Sequence, residues 1–88
     1  MYHLADQLRR SSTSILANIA EGFGRSTAAD KRSRYTIARG ECAEVQALLI
    51  LAQEIGVLDA EKFAILQREA TDVSRMLSGL IRKYSMTT

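Results

Sequence analysis

The sequence predicts an all-α fold, an antiparallel up-and-down helical bundle made of three long helices of a four-helix-bundle pattern. Two observations carry that expectation. The 88 residues contain no proline, the residue that most reliably interrupts a helix. Apolar residues recur three and four apart, the period of one helix face, rather than in the alternation of a half-buried strand.

The first helix is expected over about 3–23. Leu4, Leu8, Ile15 and Ile19 form its apolar stripe, and the small residues Ser11, Ser12, Ala17 and Ala20 allow close approach. Gly22 and Gly24 are expected to close it by adopting the left-handed conformation. Within it, QLRRSSTSILANIAEGFGR (Gln7 to Arg25) places Ser11, Ser12, Ser14, Asn18 and Glu21 among core-type residues. Polar groups are costly to bury unless partnered, so these need a use.

The second helix is expected over about 28–55. Thr27 can cap its start, with Asp30 three residues on at the positive end of the helix dipole. One seam reads Tyr35, Ala38, Cys42, Val45, Leu49, Ala52. A second reads Ile37, Glu41, Glu44, Leu48, Leu51, Ile55, so this helix is expected to touch neighbours on two sides. Gly56 is the natural stop. The third helix, about 60–84, begins after the N-cap Asp59, with Leu58 and Phe63 placed as a hydrophobic staple. Its seam is Phe63, Leu66, Ala70, Val73, Leu77, Leu80, Tyr84, an alternation that favours antiparallel packing. Ser85 to Thr88 are expected to fray.

Length makes residues 1–88 a single domain. A chain this small buries only about 60–65% of its unfolded surface, so its stability alone is expected to be marginal and partners or self-association are expected. There is no run of about 18 apolar residues and no signal-peptide pattern, which points to a cytoplasmic chain off the membrane. A single cysteine, Cys42, excludes an internal disulfide and reads as a core residue; no cofactor is expected.

Charge is uneven. The formal net charge is +2, but the cations concentrate in the first half, five of them between Arg25 and Arg39. Arg25, Lys31, Arg32, Arg34 and Arg39 are the candidate nucleic-acid-binding residues. Repeated around an oligomer, such a patch would sum into a field strong enough for sequence-independent phosphate binding.

The Gln7–Arg25 string, followed by YTIARGECAEVQALLILAQEIGVLD, resembles the family of small bacterial four-helix-bundle proteins that includes the 23S ribosomal RNA intervening-sequence proteins. The accessory variability protein of diversity-generating retroelements is related to it. The matching positions are Gln7, Arg9, Arg10, Ser14, Ile15, Asn18, Ile19, Ala20, Glu21 and Gly22, then Ala38, Gly40 and Glu44, with Leu48 and Gly56 in the apolar frame. Two residues depart from the pattern: Leu16 stands where the family usually has Pro, and Glu41 near a usual Ser. The resemblance also implies that a helix of the family pattern, of roughly thirty residues, is missing ahead of Gln7, either because the reading frame is truncated or mis-started or because another subunit fills the groove. It further implies a homo-oligomer, a pentamer by the retroelement relatives, with RNA or DNA and a reverse transcriptase or other protein as possible partners.

Arg9, Arg10, Asn18, Glu21 and Glu44 are expected to form a structural polar network, with Arg9 or Arg10 paired to Glu44 and Gly40 letting the helices approach. Buried polar networks fix register and oligomer state at some cost in stability. A catalytic use of Glu41 and Glu44 lacks the rest of a set, because the single histidine, His3, sits at the terminus. The reading is therefore a non-enzymatic oligomeric scaffold or accessory protein that binds nucleic acid through a basic surface. The alternative is a protein-interaction module that receives a partner's helix in an exposed apolar groove.

Overall fold

A computed structural model describes residues 2–85, and all regular structure among them is helical. α1 spans Tyr2–Gly24, α2 Ala28–Glu54 and α3 Ala60–Ser85. Short connections make consecutive helices antiparallel neighbours. Ser85 closes α3, and the rest of the tail expected to fray lies outside the described residues.

α2 packs against α1 on one side and α3 on the other, whereas no Cα of α1 comes within 8 Å of one in α3. With extents of 47 × 21 × 13 Å, the molecule is a long shallow layer. α2 is the floor of an open trough; α1 and α3 are its walls. No counterpart of a fourth helix is present among the described residues.

Local chemistry explains the helix ends. Thr27, in extended conformation, caps α2 by accepting from the Asp30 N–H at 3.1 Å. Asp59 does the same for α3, its Oδ1 accepting from the Lys62 N–H at 2.8 Å. Gly56 terminates α2 at φ +83°: its N–H reaches the Gln53 carbonyl and the Val57 N–H the Ala52 carbonyl. That is a Schellman closure, and its left-handed residue is best supplied by glycine.

The end of α1 corrects the expectation. Neither Gly22 nor Gly24 has positive φ, and the helix runs through both. Lys31 closes it instead, donating from Nζ to the carbonyls of Gly22 at 3.0 Å and Phe23 at 3.1 Å, a cation at the negative end of the dipole. Gly22 serves packing: a Cβ there would overlap Tyr35 Cε1 and lie 2.9 Å from Cζ.

The core is Tyr35, Ala38 and Cys42 of α2 with Leu77 of α3, flanked by Ile15, Ile19, Val73, Leu80, Ile81 and Tyr84. Val45, Leu49 and Ala52 extend it along α2, so the first seam read on this helix is its buried set. The second seam differs. Both neighbours engage the first-seam side, which leaves Ile37, Leu51 and Ile55 exposed. The α1 stripe also shifts: Ser11, Asn18 and Gly22 are its buried positions, while Leu4, Leu8, Ile15 and Ile19 are half-buried. Of the α3 seam only Leu77 is fully buried, because the trough beside it is open.

Candidate functional site: a polar seam and a basic end

Ser11, Asn18 and Gly22 fall seven and four apart, which aligns them on one face of α1. Facing α2, they explain the polar helix. Ser11 Oγ donates to Glu44 Oε2 at 2.7 Å. Asn18 Nδ2 donates to the Ser14 carbonyl at 3.0 Å and to Ser14 Oγ at 3.2 Å, while its Oδ1 accepts from Arg34 Nη1 at 3.4 Å. Both buried polar side chains are thereby partnered, as buried polar groups must be.

The expected pairing of Arg9 or Arg10 with Glu44 is not formed. Arg9 instead pairs with Asp6 at 2.9 Å along the exposed side of α1, Arg10 is exposed, and Glu21 pairs with Arg25 at 2.9 Å. The reason is angular. With Ser11 facing α2, its two preceding neighbours are turned about 100° and 200° away around the helix. Nor does Gly40 mark a close approach, since a Cβ there meets nothing within 4 Å. Arg10, Glu41 and Glu44 line a polar cleft with Gln7, Ser11 and Ser14. No group of three or more potential metal ligands stands together among the described residues.

All five cations singled out from the sequence make internal contacts. Arg25 pairs with Glu21 and Lys31 caps α1. Arg32 donates to the Tyr84 carbonyl at 2.9 Å, Arg34 to Asn18, and Arg39 to Ser78 Oγ at 3.2 Å. Lys31, Arg32, Arg34 and Arg39 therefore tie α2 to both walls, and all five cations are half-buried. Arg25 and Arg34 share a surface pocket with Asp30, Ser33 and Ile37. Tyr35 is fully buried, which removes it as a stacking surface. The half-buried Tyr84 lies between Lys31 and Lys83, their ammonium groups 5.7 and 5.3 Å from its ring centre.

These cross-links fix the helix levels and reveal a feature that linear charge counting missed. The end with the α1–α2 turn also receives the C-terminal turns of α3. It carries Arg25, Lys31, Arg32, Arg34, Arg39, Arg82 and Lys83 against Glu21 and Asp30, a net +5. The rest carries Arg9, Arg10, Lys62, Arg68 and Arg75 against Asp6, Glu41, Glu44, Glu54, Asp59, Glu61, Glu69 and Asp72, a net −3. The molecule is electrically polar along its length.

A family model described as 23S rRNA-intervening sequence protein matches residues 1–79. The chain belongs to that family. This member of the 23S rRNA-intervening sequence protein family is also similar in structure to a protein of unknown function from the S23 ribosomal protein family of Bacteroides thetaiotaomicron. The two share 28% identity with a TM-score of 0.86, over 89% of this chain and 72% of that one. No match was found among curated proteins. Neither description names a reaction, and no described helix is long and apolar enough to cross a membrane.

Proposed function

We propose that this family member is a non-enzymatic helical accessory protein that binds nucleic acid through the phosphate backbone at its basic end. The observation that carries the reading is the separation of charge, +5 at one end of a 47 Å layer. Exposed Arg82 and Lys83 stand there beside the half-exposed cations of α2. A concentrated positive field releases counterions from a polyanion and needs no base-reading groups. Self-association would multiply that field. The reading carries association without the pentameric count, which rests on the resemblance alone.

Fluorescence polarisation against mixed-sequence duplex DNA and single-stranded RNA tests it, between about 50 and 200 mM salt. Log affinity should fall linearly with log salt. Exchanging the exposed pair, Arg82→Gln with Lys83→Gln, should flatten the duplex slope by roughly 0.9 for each phosphate that is no longer neutralised. Absence of binding at the lower salt, or an unchanged slope in the double variant, would sink the proposal.

A further inference from the structure

We propose that the ring of Phe23 is a stacking platform for an unpaired base of a single strand, an inference that rests on the reading of the basic end as a nucleic-acid surface. Phe23 lies in the last turn of α1 and is 72% exposed. The other two aromatic side chains placed at this end, Tyr35 and Tyr84, are buried and half-buried.

The surroundings of Phe23 are cationic. Lys31 Nζ donates to the Phe23 carbonyl at 3.1 Å and lies 5.7 Å from the centre of the Tyr84 ring, which the Lys83 ammonium approaches to 5.3 Å. Arg25 follows Phe23 two residues on. Rings and cations therefore interleave at the end of the layer, the arrangement that holds a strand by its phosphates and by the faces of its bases. The Phe23 backbone is helical and capped from α2, so its position is set before a strand arrives. Only the rotation of one ring remains to be fixed on binding, which keeps the ordering cost small.

Charge selects what covers this ring. An apolar protein surface laid on Phe23 would strip water from the cations beside it, and charged groups are depleted where protein interfaces are fully buried. A nucleotide brings an apolar base face and its own anion together. A base stacked on an aromatic side chain is worth about 5- to 150-fold in affinity, enough to separate a strand with bases from one without. A duplex keeps its base faces in its own stack, so it meets the same cations and not the ring.

Fluorescence polarisation with a short single-stranded DNA, and with the same strand made abasic throughout, tests this at about 50 mM salt. The strand with bases should bind the unmodified chain at least about fivefold more tightly. Phe23→Leu keeps an apolar side chain at an exposed site and should bring the two affinities within about twofold of each other. A merely structural effect would lower both and leave their ratio unmoved. Phe23→Trp gives the chain its only tryptophan, whose emission should be quenched by the strand with bases and not by the abasic one. Equal affinity of the unmodified chain for the two strands, a ratio that Phe23→Leu does not change, or undisturbed tryptophan emission would overturn the proposal. Duplex DNA separates it from the reading beneath it. If duplex and abasic strand bind with a steep salt dependence while bases add nothing, the basic end stands without the platform; if none of the three binds, both fall.

Discussion

At Gly22 the missing side chain is what admits the ring of Tyr35, the largest fully buried residue. Gly22→Ala must push that ring out of a packed core, and overpacking of this kind costs about 1–3 kcal/mol. Urea unfolding should show a lower midpoint with an unchanged slope, whereas Gly24→Ala, whose Cβ meets nothing within 4 Å, should not lower the midpoint. Tyr35 supplies a second test. Its hydroxyl has no hydrogen-bond partner among the described residues. Burial, and then Tyr84, push its pKa above the ordinary 10.0, and burial, then Glu41, push Cys42 above its ordinary 9.0. A group whose folded pKa is raised stabilises fully below its unfolded value and loses that contribution as pH rises through the folded one. Stability should therefore decline above about pH 9. Tyr35→Phe should remove part of that alkaline loss and, at neutral pH, be neutral or stabilising by about 1 kcal/mol, since it deletes an unpaired buried hydroxyl. Unfolding curves across the alkaline range decide it. The string around Asn18 and Gly22 is conspicuous in the sequence, but what each residue touches is not, because Tyr35, Arg34 and Glu44 lie on another helix.

The three helices are legible because proline-free, three-four periodicity leaves no other regular structure, and α2 shows its buried seam unchanged. α1 is less so. Its apolar stripe suggests the packing face, yet the buried positions of α1 are Ser11, Asn18 and Gly22, while Leu8 and Ile15 line the trough half-buried. Periodicity reports which face is apolar and is blind to which neighbour covers it. The end of α1 carries the same lesson, since its cap comes from Lys31 on the next helix. Lys31→Met keeps the stem but leaves the Gly22 and Phe23 carbonyls without their charged donor. Loss of hydrogen bonds to a charged group should cost about 1.5–3 kcal/mol, tempered by the partial exposure of the site. Amide exchange should quicken in the last turn of α1 before it does in α3; uniform quickening would mean that Lys31 supports the whole core instead.

At the scale of the molecule, charge follows the folded levels more than the order of residues. Linear counting makes the second half of the chain net acidic, but antiparallel folding returns Arg82 and Lys83 to the same end as Arg25 and Arg39. That places two kinds of cation at one pole. Arg32 and Arg34 hold helices together through Tyr84 and Asn18, whereas Arg82 and Lys83 are exposed. A polyanion senses all four through the long-range field, but the fold depends only on the first pair. Arg32→Ala with Arg34→Ala should therefore lower both the nucleic-acid salt slope and the unfolding free energy, the latter by about 1–3 kcal/mol from the orphaned partners. Arg82→Gln with Lys83→Gln should lower the slope alone, because exposed surface substitutions shift stability by no more than about 0.5 kcal/mol. Paired salt titrations and urea melts of both variants check the separation. Equal loss of stability in the two would show that the pole is built for the fold, and equal retention of the salt slope would show that nucleic acid is held elsewhere.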